Sequence, residues 1–143
     1  MAYYDFVTEK AEPLTVRVRQ FAGPASDHNI IYTGSGTEYL YMSGSLVPSY
    51  ATGNGTTTLT FTKACTLNIF LASGRVRNGG TSSLTAIKNG STLFTVSNPY
   101  EPYYNASTLQ VNMSVGDKLR IYAQGTDEGY AIHTFAISIV DTV

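Results

Sequence analysis

The sequence predicts a single all-β, antiparallel domain, and three observations predict it. Apolar residues recur with period two, turn-forming pairs punctuate them, and no window carries a helical stripe over three turns. A half-buried strand points successive side chains to opposite faces, so alternation is its signature. Leu14, Val16 and Val18 alternate with Thr15, Arg17 and Arg19, and Glu38, Leu40 and Met42 with Tyr39 and Tyr41. Leu59 and Phe61 sit among Thr58, Thr60 and Thr62. Residues 66–72 read as a central strand, polar inside only at Asn68. Leu109, Val111 and Met113 alternate with Gln110 and Asn112, and Leu119 and Ile121 with Arg120 and Tyr122. In the tail, Phe135, Ile137 and Ile139 share one face, while Ala136, Ser138 and Val140 are small enough for the other to be covered as well.

The turns agree with this. Asn89-Gly90 lies between two strand-like runs, and a type I′ hairpin needs positive φ at both central positions, which Asn and Gly tolerate best. Val115-Gly116-Asp117 makes a second short connection, where Asp117 is structural first because its carboxylate can cap nearby amides. Gly34–Gly36, Gly53–Gly55, Asn78–Gly80 and Gly125–Gly129 supply further breaks. About eight to ten short strands at this spacing mean a sandwich or barrel.

Composition narrows the function. The 143 residues are 43% apolar, enough for one domain with a real core. Only 13% are charged, about half the usual ~25%, and Ser, Thr, Asn, Gly and Tyr take their place. Eleven Tyr, present as 11 of the residues with no Trp, make an adhesive surface of the kind that contact loops use. Net charge is −1, and Arg17, Arg19, Arg75, Arg77 and Arg120 fall in separate segments, which argues against nucleic acid. For Arg17 and Arg19 a solvated strand face is preferred to an anion site.

Cys65 is alone, so no intrachain disulfide forms, and it is expected as a buried, inert thiol. Met1 to Phe6 has no cationic start before an apolar core, so no signal peptide is expected, and no apolar run reaches the ~20 residues of a membrane span. The chain is read as complete and made in a cell's cytoplasm. Sequons at Asn54, Asn89, Asn105 and Asn112 are attributed to turn and strand chemistry rather than glycosylation.

From Thr66 to Val140 the order of pieces resembles the C1q/TNF-like jelly-roll superfamily. The matching segments are residues 65–70 (Cys-Thr-Leu-Asn-Ile-Phe), 87–90 (Ile-Lys-Asn-Gly), 109–111 (Leu-Gln-Val), 115–119 (Val-Gly-Asp-Lys-Leu) and 135–139 (Phe-Ala-Ile-Ser-Ile). Residues 1–57 fall outside the match, and Ala136 and Ile137 stand where that superfamily often has Gly. The resemblance implies an antiparallel jelly-roll β-sandwich and a homotrimer packed about an aromatic and aliphatic axis. It also implies the uses of similar phage proteins, as fibre heads, receptor-binding tips or capsid-attached knobs.

No constellation for catalysis stands out. The two histidines are His28, in a polar loop beside Asp27, and His133, opening the last strand, and neither Gly-x-Ser-x-Gly nor His-Glu-x-x-His occurs. Asp127 and Glu128 are too few oxygen ligands for a Ca²⁺ site, so no metal and no cofactor are expected. The most suggestive segment is 97–107, where Pro99 and Pro102 stiffen a run presenting Tyr100, Tyr103 and Tyr104 with Glu101 and Asn105. Such rings can stack on sugar or fill a protein pocket, or they can cover the sandwich end or seal a subunit interface. Arg75–Gly80 and Tyr32–Tyr41 are further loop candidates, and core packing could absorb many of the tyrosines, Tyr122 above all.

Residues 1–13, with Tyr3, Tyr4 and Phe6, are expected either as an arm anchoring the chain to a capsid, stalk or other virion protein, or as a first edge strand. Residues 14–143 form the jelly roll. The expected function is a non-enzymatic, trimeric virion-surface protein (capsid decoration, head fibre or receptor-binding tip) without membrane insertion. The alternative is a carbohydrate-binding module that uses exposed tyrosines on a cell-surface glycan.

Overall fold

A computed structural model describes residues 16–25, 30–33, 36–77, 82–98, 104–125 and 129–142. In chain order the strands begin with β1 (Val16–Pro24), β2 (Ile30–Thr33), β3 (Gly36–Tyr39) and β4 (Met42–Ser43). A single helical turn, α1 (Val47–Tyr50), precedes β5 (Ala51–Thr52), β6 (Leu59–Phe61), β7 (Cys65–Arg77) and β8 (Ser82–Lys88). The series ends with β9 (Ser91–Asn98), β10 (Tyr104–Met113), β11 (Lys118–Gly125) and β12 (Gly129–Thr142). The described residues form twelve strands, more than the eight to ten expected, because β2 to β5 are pieces of two to four residues; the single alternating run expected over 38–42 is divided between β3 and β4. The arm, residues 1–13, lies outside the described residues.

Two antiparallel sheets face each other. The first runs β10-β7-β12-β1-β4 with β2 also paired to β12, and the second runs β5-β6-β11-β8-β9 with β3 also paired to β11. From β6 onward the chain passes repeatedly between sheets: β7 in the first, β8 and β9 in the second, β10 back in the first, then β11 and β12. That exchange is the jelly roll, and it extends through residues 16–57, which the sequence resemblance did not reach.

Between the sheets lie Leu67, Ile69 and Leu71 of β7, Phe135, Ile137 and Ile139 of β12, Leu84 and Ala86 of β8, and Leu119 and Ile121 of β11, all buried. Phe21 stacks on Phe61 with ring centroids 5.6 Å apart and meets Tyr50 edge-on at 6.0 Å. Burying each of the Leu, Ile and Phe side chains contributes about 1.5–3 kcal/mol. The α1 turn, with Pro at its start, seats buried Val47 in the same core.

β1 departs from simple alternation. The β1–β12 ladder pairs Arg19 with Ile139 and Gln20 with Ser138, then shifts so that Ala22 pairs with Ile137. Phe21 is the extra, bulged residue, so Phe21 and Ala22 are both buried although adjacent. Before the bulge, Val18 points outward, 57% exposed, and Arg19 is on the core side. The solvated arginine face is thereby corrected at Arg19: it donates to Tyr50 Oη (2.9 Å) and pairs with Asp141 (2.7 Å) at the rim of the sandwich. The side chain of Arg17 lies outside the described residues.

The Asn89-Gly90 hairpin forms as expected, with φ of 52° and 82°. It also clips onto the β10–β11 turn. Asn89 Nδ2 donates to Asp117 Oδ1 (2.9 Å), Asn89 Oδ1 accepts from Lys118 N (2.8 Å), and Asp117 Oδ2 accepts from Ser114 N (2.8 Å). The Asn89 bond above all, with the Ser114 amide, holds the Asp117 carboxyl below its usual range. Gly44 admits no side chain, because a Cβ there would run into the carbonyl oxygen of Phe21.

Candidate functional site

Each sheet has one face in the core and one facing outward, and the two outward faces differ in chemistry. On the first sheet, β12 presents Ile132, Thr134, Ala136, Ser138 and Val140, and β7 presents Thr66, Asn68 and Phe70 beside them. On β10 the outward positions are Tyr104, Ala106, Thr108, Gln110 and Asn112, and β1 adds Val18 and Gln20. None of these residues is charged. Phe70, at the centre, is half-buried, while Val18, Ile132 and Tyr104 are exposed at 57%, 43% and 60%.

The outward face of the second sheet is cationic and aromatic. Alternation along β11 aims Leu119, Ile121 and Ala123 inward, so Lys118, Arg120, Tyr122 and Gln124 face out. Pairing with β3 sets Tyr39 beside Tyr122 and Thr37 beside Gln124. The Tyr39 and Tyr122 rings meet edge-on, 5.6 Å apart, and the Arg120 guanidinium lies over Tyr39 at 3.6 Å from its centroid. Tyr122 is therefore half-buried on an outer surface, a correction to its expected place in the core. Next to it, Thr85 and Thr95 bond to each other across β8 and β9 at 2.9 Å.

Of the Tyr100–Asn105 residues, Tyr104 and Asn105 are described, and the loops expected at Tyr32–Tyr41 and Arg75–Gly80 are instead largely strand where described, in β2, β3 and the end of β7, because those backbones pair with β12 and β11. Tyr104 opens β10 on the outward side, and Asn105 is tied down, its Nδ2 donating to Ser97 O (3.2 Å) and its Oδ1 accepting from Ala106 N (3.1 Å). Tyr100, Glu101 and Tyr103, the arm residues Tyr3, Tyr4 and Phe6, and His28, Asp127 and Glu128 lie outside the described residues. Tyr39, Arg120 and Tyr122 were missed as a group. The alternation of β11 signals that Arg120 and Tyr122 share a face, but β3 joins them only through tertiary pairing. The other sequon asparagines are bonded too: Asn54 Oδ1 accepts from Gly44 N (3.0 Å) and Asn112 Oδ1 from Thr66 Oγ1 (2.9 Å).

A buried polar group sits between the sheets near the start of β12. His133 is 2% exposed, with Nε2 at 2.8 Å from Ser82 Oγ, while its Nδ1 and the hydroxyl of Ser73, opposite it on β7, have no partner. Burial drives the imidazole pKa from 6.5 down to about 4. This neutral imidazole is closed from solvent, so the pair is a packing feature of the core. Cys65 is half-buried rather than buried; burial, then the Asp141 charge, pushes its thiol up. Among the described residues no group of three His, Cys, Asp or Glu is placed to hold a metal, and no helix is long and apolar enough to cross a membrane.

This strand order and exchange can be compared with known structures. Murine APRIL at pH 8.0 superposes with a TM-score of 0.57 at 10% identity, covering 87% of this chain and 98% of that one. Eiger TNF from S. frugiperda superposes at 0.53 with 12% identity, covering 90% of this chain and 92% of that one. The fold is a C1q/TNF-like jelly roll. A carbohydrate-binding module of Cellvibrio mixtus lichenase 5A in complex with cellotriose reaches a TM-score of only 0.37 (14% identity, 81% of this chain, 94% of that one), too loose a likeness to inform function. No family model and no curated protein matches the sequence.

Proposed function

We propose that this chain is a binding subunit of a virion surface, a decoration protein, head fibre or receptor-binding tip, and that it assembles as a homotrimer through the outward face of the first sheet. The observation that carries the reading is that the described side chains of that face, over four neighbouring strands, include no charge. Interface cores are depleted of charge because an ion buried without a partner costs several kcal/mol, whereas Phe70, Ile132, Val140 and Val18 gain by leaving water. The resemblance to C1q/TNF-like proteins, which implies three-fold packing, supports the same arrangement. The glycan-binding alternative at Tyr100, Tyr103 and Tyr104 has Tyr104 as its described residue, and an exposed ring there serves either reading.

Light scattering on the full-length chain tests the assembly. A mass three times the 15.4 kDa chain is expected, falling to one chain for Phe70→Glu with cooperative unfolding retained. A monomeric wild-type chain would sink the three-fold reading. Mass spectrometry of purified particles from the parent source tests the location: the chain should appear among the particle proteins, and its absence counts against a virion role.

A further inference from the structure

The second outward face is unlike the first, and its Arg120 is held differently from Arg19. Arg19 is held by an acid and a hydroxyl, Asp141 at 2.7 Å and Tyr50 at 2.9 Å. Arg120 has neither. Its guanidinium lies over the Tyr39 ring, 3.6 Å from the centroid, its Nε, like that of Arg19, is buried without a partner, and it makes no hydrogen bond or ion pair among the described residues. A cation partly removed from water without a counter-ion is destabilising, and a cation–π contact returns only part of that. Lys118 stands two positions along the same face, also without an ion pair among the described residues. The nearest acid in sequence, Asp117, is turned to Asn89, Ser114 and Lys88. Glu38 precedes Tyr39 on β3 and alternates to the opposite side, pairing with Ala123.

We propose that Tyr39, Arg120 and Tyr122 form a binding site for a sugar unit bearing a carboxylate. The carboxylate is the complement of a pre-positioned guanidinium fork, which offers two parallel N–H donors to two oxygens. The sugar ring is the complement of the tyrosines, since its C–H face packs on an aromatic face while its hydroxyls need polar neighbours. Tyr39 keeps 36% of its surface exposed despite the arginine above it, and exposed Thr37 and Gln124 are paired one step along the same face. A polyphosphate chain is a poorer match, because the face carries no basic stripe to track it. The site is independent of the three-fold assembly, which uses the other sheet.

The test is an array of uronate- and sialate-bearing oligosaccharides printed beside their carboxyl-reduced counterparts and beside sulfated and phosphorylated glycans, probed with the full-length chain. Binding to at least one acidic glycan, absent from its reduced form, is expected. Titration calorimetry with that glycan should show Arg120→Met at least ten-fold weaker and Tyr39→Leu similarly weakened, with cooperative unfolding retained and unchanged mass by light scattering. Where Arg120→Met does not fold, Arg120→Lys carries the test, since it keeps the charge, loses the fork and should bind about five-fold more weakly. No binding to any acidic glycan overturns the proposal. So does binding unaffected at Arg120, or equal binding to sulfated and phosphorylated spots, which would mark a non-specific cationic surface. Because mass is read separately, failure here leaves the trimer standing, and a monomer leaves this site standing.

Discussion

Acidifying the solution should destabilise this protein through one residue, His133. Folding closes the imidazole between the sheets at 2% exposure, with Ser82 against Nε2 and nothing against Nδ1. A proton on that ring would have no acceptor for the Nδ1–H and no solvent to spread its charge, so burial lowers the pKa from 6.5 to about 4. The folded state therefore holds the neutral form, while the unfolded chain takes up a proton near 6.5. Between these values the unfolded state binds more protons, and stability falls as pH falls. Below about 4 both states are protonated and the loss levels off. One pKa unit corresponds to about 1.4 kcal/mol, so the whole interval is worth about 3 kcal/mol, a large share of the ~5–15 kcal/mol typical of a domain. Asp117, at the opposite end of the sandwich, has a carboxyl pKa lowered from 3.8, so its contribution is present above that value and lost only at lower pH. Urea unfolding from pH 7.5 to 4 at fixed chain concentration, on wild type and His133→Gln, isolates the effect. His28 is common to both proteins and cancels. The wild type should lose about 3 kcal/mol more than the variant over this range. Parallel curves would refute the reasoning.

Three other outcomes follow from the same structure. Asn89→Ala removes both side-chain bonds to the neighbouring turn and puts Ala at a positive φ that Asn tolerates better, so it should cost about 1–3 kcal/mol by denaturant unfolding, and its effect should be non-additive with that of Asp117→Ala in a double-mutant cycle. Gly44→Ala should cost about 1–3 kcal/mol, seen as a lower midpoint at unchanged slope, because the new methyl meets backbone rather than a side chain that can turn away. Cys65 should react with a thiol reagent at pH 7 more slowly than a free cysteine peptide and at the peptide's rate only once unfolded, since its raised pKa disfavours the thiolate.

What the chain determined by itself is local. Alternation placed Leu119 and Ile121, and Phe135, Ile137 and Ile139, inside, because a strand can bury one face only if apolar residues recur every second position. The Asn89-Gly90 turn was legible because its backbone angles are intrinsic to those two residues. Tertiary structure decided the rest. The bulge at Phe21 reset the faces of β1, and a one-residue shift inverts every side chain after it, which alternation alone cannot register. Tyr39 joined Arg120 and Tyr122 only when β3 paired with β11, and the uncharged face emerged only once β10, β7, β12 and β1 lay side by side. Each strand carries its own inside and outside in its sequence, but a surface is a sum over strands, and which strands are neighbours is settled by the core they share.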